Sequence, residues 1–379
     1  MKIAHIVRQF HPSIGGLEDF VFNLATEQLA SGHSVSVFTL NSDFQNDEKL
    51  SPRELYKGIE IRRHPWFFSK RYPICFMAMA TLNGYDIVHI HAIDYFVDYL
   101  SLCKRIGILK PTTMLSTHGG FFHTKRNALL KQYYFKTITK FSTAAMDAVI
   151  CCSENDHRLF RKLNGNTHLI NNGVKLKKFG EPLPVPGKTQ DMIYFGRFSQ
   201  NKCIPWLIDA YAGIRNPAGK LKIIGRSKTG NVQVLKKMIQ QLDCADRVEL
   251  ILDVSDEVIL HHISSAKYTI SASEYEGFGL SIVELMSYGL VPFLSSKPPS
   301  FREFVGESRC GMLFDYEREK FEEQYQQLVR NWSPDLAHRA REYSDRFSWQ
   351  SVAKSIESIY QASMNPTTGI QADSIDTNP

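Results

Sequence analysis

Short β-type runs alternate with helix-type stretches along both halves of this 379-residue chain. Strands that alternate with helices form parallel sheets covered by helices, so the pattern predicts an α/β fold. Helices are predicted over residues 19–30 and 128–146, with Gly32 ending the first of them. The predicted strands cover residues 3–7, 35–40, 87–91, 113–117 and 148–152 in the first half, and residues 192–195, 221–224, 248–252, 268–271 and 291–294 in the second.

A segment rich in proline separates the two halves. Pro182, Pro184 and Pro186 disfavour both helix and sheet, so residues 180–187 are interpreted as a linker. Two α/β halves that face each other bind ligands in the cleft between them, beyond the carboxyl ends of their strands. The fold class predicted for the chain is therefore α/β, with two similar domains facing across a cleft.

The predicted domain bounds follow from that linker. Residues 1–180 form an N-terminal domain, and residues 181–364 form a C-terminal domain. We expect the final helices, within the helical pattern over residues 317–364, to pack back on the N-terminal domain. The tail over residues 365–379 is polar and is expected to be disordered because it has little apolar surface to bury.

Positive charge is concentrated in the first half of the chain. Residues 1–180 contain 23 Lys or Arg and 14 Asp or Glu, whereas the remainder contains 22 and 25. The basic half predicts an anionic partner, which by charge alone is nucleic acid, an anionic bilayer or a phosphorylated substrate. No nucleic-acid-binding motif supports the first of these, so we expect no nucleic acid.

The composition points away from export and from a metal site. The seven cysteines are scattered and lack C-x-x-C spacing, which predicts reduced thiols rather than disulfides or zinc. No apolar run approaches the roughly 18 residues of a membrane span, and the N-terminus does not resemble a signal peptide. We therefore expect a cytoplasmic protein.

Two glutamates flank a turn that contains two glycines. Glycine permits a positive φ and a close backbone approach, and the apolar pattern that follows predicts a helix starting near Gly279. The free N–H groups of such a helix suit a phosphate, while carboxylates accept hydrogen bonds from hydroxyls. A ligand with both groups, such as a sugar nucleotide, fits this pattern; the alternative is one loop glutamate and one solvated helical glutamate. The candidate donor-binding residues here are Glu276, Gly277, Phe278, Gly279, Leu280 and Glu284.

Three further candidate sites follow predicted strands. Gly15 and Gly16 form either a phosphate loop or a structural turn. His118 ends a strand before two glycines, where the backbone passes close to another group, and is the candidate active-site histidine; His123 is a second candidate. A lone histidine is otherwise a structural residue.

Cations follow two strands of the second half. Arg197 and Lys202 are suited to a diphosphate, because a guanidinium fork and an ammonium together stabilise the charge on a departing nucleoside diphosphate. Arg226 is a further candidate contact to a base or phosphate. The alternative for these cations is a solvated loop. No D-x-D motif occurs, which disfavours a metal-bridged diphosphate, so no cofactor or metal is expected.

The segment over residues 123–136 mixes cations, aromatic residues and leucines. Basic amphipathic helices bind anionic headgroups, and helices of this composition also pack on sheets with solvated lysines. We favour the membrane surface.

Taken together, these motifs resemble the retaining glycosyltransferases of family 4, which have the GT-B fold of two Rossmann-like domains facing across a cleft. The resemblance implies that residues 1–180 bind the acceptor and that residues 181–364 bind the nucleotide-sugar donor. It also implies that Arg197 and Lys202 hold the donor diphosphate, that Glu284 holds the ribose and Glu276 the transferred sugar, and that His118 lies beside the reacting sugar. Two positions depart from the family pattern: Cys203 replaces a glycine, and Lys175 replaces an aspartate. The matching motifs are Gly15-Gly16, Ser116-Thr117-His118-Gly119, Asn172-Gly173-Val174, Gly196-Arg197 with Lys202, and Glu276-Gly277-Phe278-Gly279-Leu280 with Glu284.

Within that family, residues 7–16, 116–124 and 153–156 are similar to the mannosyltransferases of xanthan- and acetan-type exopolysaccharide assembly. That similarity implies transfer of α-mannose from GDP-mannose to a cellobiose linked to polyprenyl diphosphate. It also implies peripheral association with the inner face of the cell membrane.

The expected reaction is metal-independent transfer with retention by front-face attack, because no well-placed nucleophile is evident. Other readings stay open at this point. One is the same fold acting on UDP-glucose or UDP-N-acetylglucosamine, and another is a nucleotide-sugar epimerase. A third is a non-catalytic sugar-nucleotide-binding partner of an assembly complex. A dehydrogenase is disfavoured because the G-x-G-x-x-G fingerprint is absent.

Overall fold

A computed structural model describes residues 1–118, 133–185, 187–228 and 232–365 of the chain. The chain forms two compact units. The first consists of Met1–Gly173 and the C-terminal stretch that starts at Trp349, and the second is Val174–Ser348.

The boundary between the units precedes the predicted linker, because residues on its N-terminal side already pack in the second unit. The backbone N–H of Lys177 donates to Ser287 Oγ at 3.1 Å, and that of Phe179 donates to the Tyr288 hydroxyl at 2.8 Å. The proline-rich segment therefore belongs to the second unit and does not separate two bodies.

Eighteen strands are described. They are β1 (Lys2–Ile6), β2 (Ser34–Leu40), β3 (Ser42–Asp43), β4 (Glu48–Lys49), β5 (Arg53–Tyr56), β6 (Ile59–His64), β7 (Phe67–Ser69), β8 (Tyr72–Ile74), β9 (Ile87–His91), β10 (Thr112–Ser116), β11 (Ala148–Cys151), β12 (Thr167–Leu169), β13 (Thr189–Phe195), β14 (Leu221–Gly225), β15 (Val248–Leu252), β16 (Ala266–Ser271), β17 (Val291–Ser295) and β18 (Met312–Phe314).

The described α-helices, which alternate with these strands, are α1 (Gly16–Ala30), α2 (Met79–Leu82), α3 (Tyr95–Arg105), α4 (Lys140–Thr143), α5 (Glu154–Phe160), α6 (Ile204–Ala212), α7 (Val232–Gln241), α8 (Asp256–Ser265), α9 (Leu280–Met286), α10 (Pro299–Ser308), α11 (Arg318–Arg330), α12 (Pro334–Asp345) and α13 (Trp349–Met364). A π-helical turn, Phe135–Thr139, precedes α4, and a 3₁₀ turn, Gln200–Lys202, precedes α6.

The first unit is built on an eight-stranded sheet with the order β12-β11-β10-β9-β1-β2-β6-β5. Its strands pair in parallel except β5, which forms an antiparallel edge with β6. The strands at the centre are buried on both faces and are mostly apolar, with His5 on β1 and His89 and His91 on β9 as buried polar exceptions. One face packs against α3, while α1 and α13 cover the other.

The second unit is a six-stranded parallel sheet with the order β15-β14-β13-β16-β17-β18. Numbered from its own first strand, this is the order 3-2-1-4-5-6 of the Rossmann fold. The strand order reverses beside β13, which pairs with β14 on one side and β16 on the other. Ligands bind at the carboxyl ends of strands at such a reversal point, so this edge is where a nucleotide is expected.

The predicted strands all form, within a few residues at their ends, and Gly32 follows α1 with a φ of 81°. The helix predicted over residues 128–146 is wrong at its end. It stops at Thr143, because the chain must turn before β11, and its described part contains a π turn, Phe135–Thr139. Strands β3 to β8, β12 and β18 were not predicted; they are short or lie at sheet edges.

The last helices divide between the units: α11 and α12 belong to the second unit and α13 to the first. No described helix combines the length and apolar character needed to cross a bilayer. Several predictions lie outside the described residues, namely Gly119, Gly120, His123, most of the 123–136 segment and the tail after Asn365.

Candidate active site

Three neighbouring strands of the second unit end in polar loops. Arg226 directly follows β14, Arg197 follows β13, and Glu276 lies in the loop after β16. Both arginines are exposed. The loops after β13 and β14 touch, because a Cβ on Gly225 would lie 2.6 Å from the carbonyl oxygen of Gly196. The sheet therefore brings the predicted diphosphate and sugar residues to one edge.

Lys202 and Glu276 form an ion pair at this edge. Lys202 Nζ donates to Glu276 Oε1, which also accepts from Ser273 Oγ at 2.8 Å. The two charged side chains are only 16% and 13% exposed. When a ligand binds, the Lys202 ammonium can bind a phosphate and the Glu276 carboxylate can accept from sugar hydroxyls. Ser273 was not predicted, because a single serine after a strand carries no pattern.

The loop that carries Lys202 is tied to the loop that carries Glu276. The backbone N–H of Glu274 donates to the carbonyl of Asn201 at 2.9 Å, and Asn201 Nδ2 donates to the carbonyl of Tyr275 at 3.0 Å. These bonds fix the two loops to each other.

Cys203 adopts the left-handed conformation, with φ 48° and ψ 38°, immediately before α6. The resemblance implies a glycine at this position, and the backbone here has the conformation that glycine favours. Cys203 adopts it with a Cβ, so the position carries backbone strain.

Gly279 is required where α9 begins, as predicted. Its φ is 107°, and a Cβ there would approach the rings of Phe301 and Phe304 to 3.1 and 3.2 Å. Gly277 is different, since a Cβ at that position meets nothing within 4 Å. Phe278, which lies between the two glycines in the sequence, packs against Phe304 with their ring centroids 5.3 Å apart.

Glu284 lies on α9 and is 13% exposed. Burial raises its pKa, and Lys178, whose Nζ lies 3.4 Å from Glu284 Oε1, opposes that effect. Desolvated carboxylates are strong acceptors, so Glu284 suits a pair of ribose hydroxyls. Lys178 escaped the sequence analysis because it lies far from Glu284 in the chain.

Gly15 and Gly16 lie at the start of α1 in the first unit. Neither has a positive φ, and the position above Gly16 is open. Two acidic residues, Glu18 and Asp19, occupy the first turn of α1, and the Glu18 carboxylate lies over Gly15. Negative charge at a helix N-terminus stabilises the helix and competes with an anionic ligand.

His118 lies two residues after the end of β10 and has a φ of 49°. Its ring packs edge-on against Phe20, and burial lowers its pKa to about 3. Three other histidines line up behind it: His5 on β1 and His89 and His91 on β9. Sequence reasoning missed these because core strands are read for apolar residues, although the alternation of His89 and His91 places both on one face of β9.

Two family descriptions match the chain. "Glycosyltransferase Family 4" matches residues 14–178, and "Glycosyl transferases group 1" matches residues 177–347.

Three curated relatives share one name, GDP-mannose:cellobiosyl-diphosphopolyprenol alpha-mannosyltransferase. The protein of Xanthomonas oryzae pv. oryzae is 39% identical over 93% of this chain and 94% of its own length. That of Xanthomonas campestris is 37% identical over 96% and 97%. That of Komagataeibacter xylinus is 31% identical over 95% and 93%.

Solved structures share the fold. A glycosyltransferase from Rickettsia africae superposes with a TM-score of 0.67 at 16% identity, covering 96% of this chain and 98% of that one. Anabaena Alr3699/HepE in complex with UDP gives the same TM-score and identity, covering 96% and 100%. Likeness at this identity concerns the fold alone. The family descriptions and the relatives' near-full-length identity together mean that this chain belongs to glycosyltransferase family 4, with the GT-B fold.

Proposed function

We propose that this protein transfers α-mannose from GDP-mannose to a cellobiose linked to polyprenyl diphosphate. The observation that carries the proposal is the near-full-length identity, 31–39%, to three relatives that share that activity in their name. UDP-glucose, UDP-N-acetylglucosamine and a purely binding role remain as alternatives that these relatives do not favour. The proposed place of this reaction is the assembly of an exopolysaccharide repeat unit.

The residues at the carboxyl ends of β13 and β16 suit the donor. In the proposed complex Arg197 and Lys202 neutralise the GDP diphosphate, and Arg226 is a further cation on the same edge. The charge of that diphosphate grows as the sugar leaves, so the two cations stabilise the transition state more than the bound donor. Glu276 accepts from mannose hydroxyls, and Glu284 accepts from the ribose.

The proposed chemistry is a front-face substitution that retains the α configuration. The bond between the anomeric carbon and the β-phosphate oxygen breaks, and the acceptor hydroxyl oxygen bonds to the same face of that carbon. The hydroxyl proton passes to the departing phosphate oxygen, so the products are GDP and the mannosylated acceptor. No protein nucleophile enters this scheme, and a product with β configuration would exclude it.

Metal independence is part of the proposal. Arginine and lysine at the diphosphate supply the positive charge that a bridging cation provides in other enzymes. The Glu276 carboxylate at this edge already accepts from Lys202 and Ser273, so a cation would have to displace both partners to bind it. The proposal therefore predicts full turnover in the presence of EDTA.

The polyprenyl acceptor requires a membrane surface, and we propose that the first unit docks on the inner face of the cell membrane. Solvent-exposed apolar side chains extend from the β7–β8 hairpin along α3. Phe67 and Phe76 pack with ring centroids 6.1 Å apart, and Phe76 lies 5.8 Å from Tyr99. Phe68 is 78% exposed. Exposed aromatic patches of this kind mark interaction surfaces.

Cations accompany this aromatic patch. Farther along α3, Arg105 stacks over Phe141 with 4.0 Å between its guanidinium carbon and the ring centroid. Leu102 on the same helix is 52% exposed, and Ile106, the residue after the helix, is 61% exposed. Apolar side chains mixed with cations bind anionic bilayers by insertion and charge attraction together.

Vesicle sedimentation tests the docking surface. Phe68→Ser should weaken binding to vesicles containing phosphatidylglycerol, and Leu55→Ser is the control, since Leu55 is 74% exposed on β5 outside the patch. Equal binding by both variants and the unmodified protein would exclude the patch as the docking surface.

Transfer of radiolabelled sugar tests the function. Purified protein is supplied with GDP-mannose, UDP-glucose or UDP-N-acetylglucosamine, polyprenyl-diphosphate-cellobiose and EDTA. Mannose incorporation supports the donor, the acceptor and metal independence together. Incorporation from a UDP-sugar alone would overturn the donor assignment, and tight GDP-mannose binding without turnover on this acceptor would favour the binding role.

A further inference from the structure

Four histidines form a row across three adjacent strands of the first unit. His5 lies on β1, His91 on the neighbouring β9, and His118 two residues after β10, which pairs with the other side of β9. His89 lies two residues before His91 on the same face. His5, His89 and His91 are fully buried. This part of the row therefore lies in the protein interior and not in a solvated groove.

Hydrogen bonds connect this row into a chain that ends at His118. Gln28 Oε1 lies 2.7 Å from His5 Nε2, and His5 Nδ1 lies 2.9 Å from His91 Nε2. His91 Nδ1 in turn lies 3.1 Å from His118 Nε2. The last ring nitrogen, His118 Nδ1, lies 3.7 Å from the Sγ of Cys152.

The positions of the protons follow from the first acceptor. An amide oxygen carries no proton, so His5 Nε2 must donate to Gln28, and a neutral His5 then accepts at Nδ1. His91 therefore donates from Nε2 and accepts at Nδ1. By the same argument, His118 donates from Nε2 and carries no proton on Nδ1. The Cys152 thiol can therefore donate to His118 Nδ1.

Gln28 is itself oriented by a second branch. Its Nε2 donates to the Tyr360 hydroxyl at 3.4 Å, and that hydroxyl donates to His89 Nδ1 at 2.6 Å. His89 Nε2 then donates to Ser116 Oγ at 2.8 Å. Every polar atom of both branches has a partner of the correct kind, which makes the arrangement self-consistent.

A metal site is the competing interpretation of this cluster. One ligand atom from each of His5, His89 and His91 lies within 4.8 Å of the others. However, His5 and His91 are joined by a direct hydrogen bond of 2.9 Å, and the nitrogens of His89 are bonded to oxygens. Two nitrogens on a tetrahedral zinc ion lie about 3.3 Å apart, given Zn–N distances of about 2.0 Å, and neither is protonated. The hydrogen-bonded interpretation therefore accounts for the geometry better.

We propose that Gln28, His5 and His91 are positioning residues that hold His118 as the neutral Nε2–H tautomer with a fixed ring orientation. His118 then does not exchange a proton with the substrates, since both of its ring nitrogens already have protein partners. This inference rests on the proposed function only where it assigns His118 a place at the reacting sugar.

Burial favours the neutral state of every ring in the row. It lowers the pKa of His5 to about 4 and those of His89 and His91 well below the ordinary value, and it raises the pKa of the Cys152 thiol to about 12. The other titratable groups that face the row are His89, Tyr360 on α13 and Asp156 on α5, which accepts from Thr117 at 2.9 Å.

Nitrogen NMR of the full-length protein labelled in its histidines tests the proposal without any substrate. The His118 signals are assigned by their loss in His118→Gln. The expected result is one protonated nitrogen, Nε2, and one bare nitrogen, Nδ1, unchanged between pH 5 and pH 8. Titration of His118 in that range, or a proton on Nδ1, would overturn the proposal.

Variants of β9 then test which residue sets the tautomer of His118. His91→Leu removes the acceptor for His118 Nε2–H, so the proton should move to Nδ1, where the sulfur of Cys152 accepts it. His91→Asn keeps an acceptor at the position of Nδ1 and should keep the original tautomer. His89→Leu is the matched control: it is equally buried on the same strand but bonds Tyr360 and Ser116 instead.

Kinetics give the second readout. His91→Leu should lower kcat about tenfold with little change in KM for the donor, because a misplaced group costs turnover more than binding. His91→Asn should keep most of the kcat of the unmodified protein. A tautomer change in His89→Leu as large as that in His91→Leu would overturn the assignment to His91. The tautomer measurement stands even if mannose transfer fails, so the two proposals fail separately.

Discussion

At the scale of single residues, the charged groups of the second unit's candidate site are held in pairs. Lys202 contacts Glu276 and Lys178 contacts Glu284, and both carboxylates are largely buried. A buried charge that loses its partner is costly, so each pair keeps its members in place until a ligand can replace the partner. A donor with a diphosphate and several hydroxyls offers the required replacements.

Lys202→Ala should lower turnover at least about tenfold, because one cation is lost at the departing diphosphate. The measurement is mannose transfer at saturating GDP-mannose. Lys222→Ala is a matched control. Lys222 forms a pair of similar burial with Asp191, at 2.7 Å, but lies inside β14 rather than beyond its end.

Both lysine variants should lose comparable stability, since each leaves a carboxylate without its cation. Only the Lys202 variant should lose activity beyond its loss of folded protein. Equal activity losses in the two variants would show that Lys202 acts through stability and would remove it from the diphosphate site.

Glu284→Gln should make the protein more stable at pH 7, by on the order of 1 kcal/mol. Because burial raises the folded-state pKa of Glu284, the folded protein binds this proton more tightly than the unfolded chain. Its ionisation therefore costs stability above the folded-state pKa, and the cost vanishes as the pH falls below the unfolded value. Denaturant unfolding at pH 7 and pH 4 should show a stability gap between variant and parent that narrows at the lower pH.

The same substitution should raise KM for GDP-mannose roughly fivefold, because a neutral amide accepts from ribose hydroxyls more weakly than a carboxylate. Glu249→Gln, at an exposed position of β15, should change neither property. A Glu284 variant with unchanged KM would separate this residue from the donor.

Much of the candidate site could be predicted at this scale, because its residues occur in short sequence patterns. Glycines beside charged residues after strands pointed to Arg197 and Glu276, and Lys202 was found as a second cation in the loop of Arg197. The partners of these residues, Ser273 and Lys178, could not be predicted, since contacts between distant positions leave no local pattern. His5 and His91 were missed for a different reason, because buried core strands are searched for apolar residues.

At the scale of secondary-structure elements, the turn into α9 depends on one glycine of the two. Gly279 combines a positive φ with close contact to two phenylalanine rings, whereas Gly277 has open space above it. The two residues look equivalent in the sequence, and only the three-dimensional structure distinguishes a glycine required by the fold from one with room above it.

Gly279→Ala should lower the free energy of unfolding by about 2 kcal/mol or more, because the left-handed conformation disfavours a Cβ and the Phe301 and Phe304 rings must shift. Gly277→Ala should change it by less than about 0.5 kcal/mol. Chemical denaturation of both variants checks this. Similar values for the two would contradict the role given to the backbone of Gly279.

Strands that are mostly apolar could be predicted, and strands that are short or carry cations could not. β9, which is buried along its whole length, matches its predicted bounds. So does the edge strand β15, whose only polar residue is Glu249. β6 alternates buried and partly buried residues and contains two arginines, which hid it from a search for apolar runs. Near the edge of a sheet, such a strand forms its backbone hydrogen bonds with its neighbours while its cationic side chains stay partly solvated.

At the scale of the whole molecule, the two units differ in how the chain builds them. The second unit is one continuous stretch, Val174–Ser348. The first unit needs α13, from the far end of the chain, to complete its core. Ile356 and Tyr360 of that helix are fully buried, and Trp349 packs on Phe20 with ring centroids 5.2 Å apart.

This difference predicts how fragments behave. A fragment over residues 174–348 should fold alone and bind GDP-mannose without transferring it, because it contains its own sheet and all of the second unit's candidate donor residues.

A fragment over residues 1–173 should be unstable, because without α13 it exposes the apolar face that this helix covers and leaves Gln28 and His89 without the Tyr360 hydroxyl. Each large side chain that α13 buries contributes about 1.5–3 kcal/mol, so losing several removes most of the stability of a domain this size. Joining residues 349–365 to the fragment through a flexible linker should restore cooperative unfolding. Circular dichroism during thermal denaturation distinguishes the outcomes: if residues 1–173 unfold as cooperatively alone as with the added helix, α13 does not complete the first unit's core.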